Sequence, residues 1–175
     1  YAVRIAAGEA DLLLGCDLIV AAGDESLTRL NEQISNAVVN SHESATAEFT
    51  RNADFRIPSK ELQAEIVKAC GGADAVTALD ATGIATALLG DSIATNLFML
   101  GAAYQKGFVP VSADAIEQAI ELNGVAVDMN MQAFRWGRRA ALDAAAVKDA
   151  AAPAAAAQRN AEADKPSHRQ LSETL

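Results

Sequence analysis

His42 and two carboxylates are the residues whose types suggest shared chemistry in this sequence. Glu43 follows His42 directly, and Asp80 lies at the end of a separate apolar run. A histidine beside a carboxylate can act as a general acid or base, and the three side chains together could hold a metal. His42 is the only histidine in the part of the chain that is predicted to fold, and no motif has ligand spacing. We therefore favour a loop histidine that bonds to backbone or faces a partner domain.

Two further groups of residues have a weaker chemical signal. Residues 23–26 form a strand-to-helix turn with one glycine, and they lack the GxGxxG pattern of dinucleotide sites. A basic patch is expected on the last predicted helix, from Arg135, Arg138 and Arg139. We interpret this patch as a solvated face with Trp136 packed beneath or beside it. A docking surface is the alternative.

Composition limits the classes of partner. The chain has 175 residues, of which 51% are hydrophobic, and its net charge is −9. Its longest apolar runs are far shorter than the roughly 20 residues that span a bilayer, and no signal peptide is visible. An acidic surface repels phosphate backbones. These features predict a cytoplasmic protein that binds neither nucleic acid nor membrane.

The two cysteines, Cys16 and Cys70, are far apart and belong to no CxxC pair. Both adjoin apolar residues, so they are expected to be small core side chains. A disulfide between them stays open, although a reducing cytosol fits better. An iron–sulfur cluster normally takes about four cysteine ligands, so no cluster is expected within this chain.

Apolar patterning predicts four strands that alternate with helices. The clearest strand is residues 17–22, because a continuous apolar run is typical of a parallel strand covered on both faces. Residues 12–16 are expected to be short and irregular or helical. The other three strands are expected over residues 1–6, 37–40 and 75–79.

Helices are expected between and after these strands. Ser59 is the expected N-cap of one, and Ser112 caps another that ends at Gly124. The remaining helices are expected over residues 25–33, within 80–101, and over 125–143.

The stretch over residues 80–101 is almost uncharged, and the rest of the chain is expected to pack around it. Two helices should meet at Gly90, with Asp91 and Ser92 as the stop and the new N-cap. A helix that is apolar nearly all round must be buried in the core or against a partner. We expect another protein layer to cover these helices. A helix N-terminus that binds an anionic ligand is an alternative.

This order of elements predicts an α/β layer fold with a mainly parallel sheet. Ligands and partners of such sheets meet the carboxyl ends of the strands. Residues 23–26, 40–43 and 80–82 should therefore converge at one edge. Residues 144–175 have few large apolar side chains and contain Pro153 and Pro166. They are predicted to be an Ala-rich linker or tail after a domain over residues 1–143.

Several phrases carry a more specific signal: LLLGCDLIVAA, NSHE, and the stretch that begins GDSIATN and ends IELNGVAVDMN. Together they resemble the gamma-type domain of 2-oxoacid:ferredoxin oxidoreductases, over about residues 1–141. Within this family, the chain is most similar to the fused bacterial indolepyruvate ferredoxin oxidoreductases.

The resemblance implies a Rossmann-like three-layer domain that is an accessory part of a larger enzyme. The complete enzyme would decarboxylate a 2-oxoacid on thiamine diphosphate with Mg. It would pass two electrons through iron–sulfur clusters to ferredoxin and release an acyl-CoA. The resemblance places these cofactors on other domains, so this chain alone would be inactive. Its expected partners are the other domains or subunits of the same oxidoreductase, in a homo-oligomer, with ferredoxin and CoA for the complete enzyme.

The family's gamma domain opens with a glycine-rich strand-turn-helix before the strand that matches residues 1–6. That opening is absent here, so the domain is expected to be incomplete at its N-terminus, with residues 18–22 as an unpaired sheet edge. No catalytic residue is predicted. The predicted interface or site-wall residues are Asn40, His42, Asp91, Ser92 and Asn96. A free-standing Rossmann-type module that binds a nucleotide or another small molecule is the alternative function.

Overall fold

A computed structural model describes residues 4–43 and 58–163 of the chain, with the side chains of the last helix described to residue 157. Three parallel strands form its sheet in the order β1-β2-β3. The prediction of an α/β fold with a mainly parallel sheet is confirmed. The strands are β1 (Leu12–Gly15), β2 (Asn36–Asn40) and β3 (Val76–Leu79).

Strand β2 lies at the centre of the sheet, and its middle residues, Ala37, Val38 and Val39, have no solvent exposure. Val38 packs against helices on one face of the sheet, and Val39 packs against helices on the other. A short, continuous apolar run is the pattern of such a strand. Strands β2 and β3 are therefore where the sequence predicts them.

The first part of the chain differs from the prediction. Residues 17–22 contain helix α1 (Leu18–Ala21), and β1 occupies residues expected to be irregular. The Asp17 carboxylate accepts a hydrogen bond from the Val20 N–H at 3.0 Å, which caps the helix. An apolar run alone does not separate a buried strand from a short helix. The predicted strand over 17–22 and the unpaired edge over 18–22 are therefore wrong.

The residues before β1 also lie outside the sheet. Residues 1–3 of the predicted first strand fall outside the described residues, and residues 4–6 do not form a strand. The N–H groups of Gly8 and Ala10 donate to the carbonyl oxygens of Thr28 and Arg29, both at 3.0 Å. This segment therefore lies alongside the loop that comes after helix α2 (Asp24–Leu27).

Helix α2 (Asp24–Leu27) is shorter than the helix predicted over residues 25–33. The Asn31 side chain accepts a hydrogen bond from the Gln33 N–H at 2.9 Å, a local turn that competes with helix. Helix α3 (Ser59–Ala69) begins one residue earlier than predicted, with Pro58 at the cap position and Ser59 inside the helix.

The remaining helices follow the predicted caps, except that Asp91 and not Ser92 is the N-cap after Gly90, where it starts a 3₁₀ turn. Helix α4 (Ala81–Leu89) ends at Gly90, where φ is 81°, and a 3₁₀ turn (Ser92–Ala94) leads into helix α5 (Thr95–Gln105). Ser112 accepts a hydrogen bond from the Ala115 N–H at 3.2 Å, which starts helix α6 (Ala113–Asn123). Helix α7 (Val127–Leu142) follows. In the described part of the chain, no helix combines the length and hydropathy that a membrane crossing needs.

Residues 144–163 form helix α8 (Ala144–Ala163) and are better packed than their composition predicts, while the division of the chain into a domain and a linker or tail stays a prediction. The Asp143 carboxylate accepts from the Ala146 N–H at 2.9 Å, and Val147 is completely buried. Val147 and Ala151 belong to the same apolar cluster as Ile84 and Ala85 of α4. Helix α4 is therefore covered by its own chain, and no second protein layer is needed to bury it.

Ala126, immediately before α7, has φ 46° and ψ 43°, a left-handed conformation that disfavours a residue with a Cβ atom. We expect Ala126→Gly to raise the free energy of unfolding by about 0.5–1 kcal/mol, measured by urea unfolding. Ala64→Gly, in the middle of α3, should lower it by about 1 kcal/mol. Equal losses for both variants would contradict the strain at Ala126.

Candidate functional site

The site begins with Asn40, the last residue of β2, whose side chain is buried with 6% exposure. Its amide N–H groups donate to the Cys16 carbonyl oxygen at 3.0 Å and to Thr82 Oγ1 at 2.8 Å. Its Oδ1 accepts from the N–H groups of His42 at 3.2 Å and Ala81 at 3.1 Å. One side chain therefore joins the ends of β1 and β2 to the start of α4.

A line of hydroxyl groups extends this network to α5. The hydroxyl groups of Thr82 and Thr95 are hydrogen-bonded at 3.1 Å, and Thr95 Oγ1 donates to the Ser92 carbonyl oxygen at 2.6 Å. Thr95 is buried with 6% exposure. Buried polar groups that are fully paired hold neighbouring segments in one arrangement. The network thus fixes the positions of four segments around the carboxyl end of the sheet.

His42 and Asp80 form a pair beside this network. Nδ1 of His42 lies 2.8 Å from Oδ1 of Asp80, and that oxygen also accepts from the Gly83 N–H at 2.9 Å as the N-cap of α4. A carboxylate partner fixes the orientation of an imidazole ring and leaves the other ring nitrogen, Nε2, for a ligand or partner. About a third of the His42 side chain is exposed.

A cavity of about 280 Å³ opens at this edge. Its lining combines the end of β1, the start of α1, the residues after β2, and the first residues of α3, α4 and α5. The lining residues are Cys16, Asp17, Leu18, Ile19, Asn40, His42, Glu43, Ser59, Thr82, Ser92, Thr95 and Asn96.

The structure brings together four of the five predicted interface or site-wall residues: Asn40, His42, Ser92 and Asn96. Asp91 is not part of the lining; its carboxylate accepts from the Ile93 N–H at 2.9 Å and caps the 3₁₀ turn. The role of these residues as an interface or site wall stays a prediction.

Residues 23–26 do not line this cavity. They start α2, and the Ser26 hydroxyl donates to the Val20 carbonyl oxygen at 3.0 Å. Their predicted convergence with the other two loops depended on a strand over 17–22, which is a helix. Cys16 and Asp17 follow β1 and take that place instead.

The electrostatics of the cavity do not favour an anion. Among the described residues, its lining contains Asp17 and Glu43 but no lysine or arginine. At the start of α4 the Gly83 N–H donates to Asp80 and the Ala81 N–H donates to Asn40, and at the start of the 3₁₀ turn the Ile93 N–H donates to Asp91. A helix N-terminus binds an anion through such N–H groups, so the caps compete with that use here.

The cavity also lacks an activated nucleophile among its cysteines. Burial raises the pKa of the Cys16 thiol, and the thiolate is the reactive form. The His42 imidazole, which Asp80 orients, could accept a proton. The structure shows no thiolate beside this pair.

The described residues do not fit a metal or an iron–sulfur cluster. Within residues 4–43 and 58–163, no group of three or more His, Cys, Asp or Glu side chains could hold a metal ion, so His42, Glu43 and Asp80 do not form a metal site. Cys16 and Cys70 are free thiols in different apolar clusters. Two separate thiols do not supply the roughly four ligands of a cluster.

The three arginines of α7 have different partners. Arg135 donates to Glu117 through Nε at 3.1 Å and through an Nη at 2.8 Å, and this hydrogen bond lowers the pKa of Glu117. Arg138 lies over the Tyr104 ring at 5.1 Å, and Arg139 lies over Trp136 at 5.8 Å. This arrangement favours the interpretation of a solvated face beside Trp136.

Comparison with known families identifies a match over most of the chain. The family model described as pyruvate ferredoxin/flavodoxin oxidoreductase matches residues 1–140. No curated protein and no solved structure is significantly similar to the chain. The matched range includes all three strands and every residue that lines the cavity.

Proposed function

We propose a function on the premise that this chain belongs to the pyruvate ferredoxin/flavodoxin oxidoreductase family, whose model covers residues 1–140 of its 175. The match supports an accessory domain of a 2-oxoacid:ferredoxin oxidoreductase. The finer proposal is a gamma-type domain of an indolepyruvate oxidoreductase. It is supported by the phrases NSHE and IELNGVAVDMN, which resemble those enzymes.

In this proposal the complete enzyme oxidatively decarboxylates indolepyruvate and transfers the acyl group to CoA. Thiamine diphosphate supplies the decarboxylation chemistry, and iron–sulfur clusters carry two electrons to ferredoxin. These groups lie on other domains or subunits. The donor set of this chain supports that arrangement, because its two thiols are separated and the carboxylates of Asp80 and Asp91 serve as helix caps.

The role that we assign to this chain is positional. The network from Cys16 through Asn40, Thr82 and Thr95 fixes the carboxyl edge of the sheet. The His42–Asp80 pair then presents one ring nitrogen at a rigid polar wall. We propose that this wall faces another domain of the enzyme, where it forms part of the enclosure around the reacting groups.

This role predicts the effect of His42→Ala in the complete enzyme. Turnover should fall by less than the roughly 10²–10⁴-fold that follows the loss of a general acid or base. His42→Gln, which retains a group able to bond to Asp80, should recover part of the loss. The measurement is steady-state reduction of ferredoxin with saturating substrate. A loss as complete as that on removal of thiamine diphosphate would show that His42 is catalytic.

Ligand-dependent melting of the chain tests the alternative function. Under the proposed function, nucleotides, CoA and 2-oxoacids should leave the melting temperature of the isolated chain almost unchanged. A ligand present at about 100 times its Kd stabilises by roughly 2.7 kcal/mol, which is easily measured. A clear shift with a nucleotide would favour a free-standing Rossmann-type binding module.

A further inference from the structure

An apolar groove of about 460 Å³ lies between α5 and α6, on a part of the chain that the candidate site does not use. Leu97 and Leu100 of α5 form one wall, and Ile116 and Ile120 of α6 form the other. No charged residue is present among the described residues that line it. An apolar surface that docked in the groove would therefore be buried against apolar side chains.

The groove lacks the polar groups that orient a small molecule. Small-molecule pockets place a few convergent donors and acceptors among apolar walls. The polar lining here is Asn123 and Asn130, and the Asn130 amide already donates to the Val125 carbonyl oxygen at 2.9 Å. This lining fits an apolar segment of protein better than a polar metabolite.

Exposed apolar residues continue the groove along α6. Ala115, Ala119 and Leu122 are spaced at four and three residues, so they lie on one face of the helix. Leu122 is 88% exposed. An apolar surface of this kind, next to an open groove, marks an interaction site. The two alanines leave room for another helix to approach closely.

Unpaired carboxylates border this surface. Asp114 and Glu121 are exposed on the neighbouring face of α6, and neither forms an ion pair with another described residue. Glu117 of the same helix differs, because Arg135 binds it. A partner that covers the groove would therefore gain from positive charge along one side.

We propose that the groove binds an amphipathic helix from another domain of the same oxidoreductase. The helix places apolar residues spaced i, i+3/i+4 and i+7 in the groove, and its Lys or Arg residues lie beside Asp114 and Glu121. The source of the helix rests on the proposed function. The groove and its acidic border rest on the structure alone.

Photo-crosslinking in the complete protein tests this proposal. A benzoylphenylalanine is introduced at position 119, in the middle of the groove face, and at position 150, an exposed alanine of α8, as the matched control. We expect position 119 to crosslink, at a yield about five-fold above position 150, to one helical segment of another domain that carries this pattern. The double variant Asp114→Asn/Glu121→Gln should reduce the yield at low salt, and about 0.5 M NaCl should remove that difference.

Three results would overturn the proposal. They are crosslinks confined to residues 1–175, crosslinks to the same groove of a second copy, and a yield no higher than at position 150. The same samples are assayed for ferredoxin reduction with 2-oxoacids. An active enzyme without the crosslink would refute the docked helix but not the proposed function. An inactive protein with the crosslink would refute the proposed function but not the docked helix.

Discussion

Replacing Gly101 with alanine should destabilise the domain by about 3 kcal/mol or more. Gly101 of α5 and Gly137 of α7 lie where these two helices cross. A Cβ atom on Gly101 would overlap the Phe134 carbonyl oxygen, and a Cβ atom on Gly137 would overlap that of Phe98. Both obstacles are backbone atoms, so the helices would have to separate. Separation would uncover Phe98, Met99 and Phe134, which are completely buried.

Urea unfolding followed by circular dichroism measures this effect. Gly137→Ala should cost about as much as Gly101→Ala, and the double variant should cost less than the sum, because both changes separate the same pair of helices. Gly23→Ala is the control, since its Cβ would approach the Val20 carbonyl oxygen at 3.3 Å, and it should cost about 1 kcal/mol or less. A Gly101→Ala variant as stable as this control would contradict the close crossing.

Replacing Asn40 with alanine should cost about 2–4 kcal/mol and loosen the candidate site. The change removes the partner of the Cys16 carbonyl oxygen and of the buried Ala81 N–H, and it leaves the Thr82 hydroxyl with its bond to Thr95 alone. The penalty for such unpaired groups exceeds the net value of the hydrogen bonds themselves. Hydrogen exchange at the amides of His42 and Ala81 should accelerate more than exchange in α7.

Asn36 provides the matched control, because it is an asparagine at the other end of β2. Its amide makes one long hydrogen bond, to the Ile34 carbonyl oxygen at 3.4 Å. Asn36→Ala should therefore change the free energy of unfolding by less than about 1 kcal/mol. Similar losses for Asn36→Ala and Asn40→Ala would mean that the network does not hold the site together.

Features that depend on a few neighbouring residues are predictable from the sequence. Ser112 and Gly124 determine the ends of α6, and Gly90 ends α4 through its positive φ. Each signal acts through a local backbone requirement, a side-chain acceptor for a free N–H or a residue without Cβ. Such requirements operate wherever the segment is packed, so the sequence is sufficient to locate them.

The β1–α1 region shows where this approach fails. Residues 12–22 form an apolar run interrupted by Gly15, Cys16 and Asp17, and strand and helix fit the run equally well. Asp17 starts a helix by capping Val20, while Gly15 has no Cβ and so lets Ala21 pack close above the strand. The contact between Gly15 of β1 and Ala21 of α1 joins residues on two elements. Its effect is visible once the chain is folded.

Helix α8 was missed for a different reason. Its composition has few large apolar residues, which is typical of a disordered segment. The structure instead buries Val147 and the small residue Ala151 against α4. Composition records how much apolar surface a segment has. It does not record whether a complementary helix is available to receive that surface.

The candidate site was predictable in part. The rule that loops meet at the carboxyl ends of parallel strands brings Asn40, His42 and Asp80 together. Thr82 lies in the stretch 80–82 that is predicted to converge at this edge, but nothing in the sequence indicates Thr95, because it is a single hydroxyl within a mainly apolar helix. Their hydrogen bond joins two helices that are separate in sequence. A pattern search along the chain does not detect such a pair.

Electron transfer by the complete protein that contains this chain is the most direct test of the accessory-domain assignment. Prepared without oxygen and with all its domains or subunits, it should reduce ferredoxin when given indolepyruvate and CoA. The 175-residue chain alone should reduce none. Ferredoxin reduction by the chain alone, or a complete protein that reduces no ferredoxin with any 2-oxoacid, would contradict the assignment.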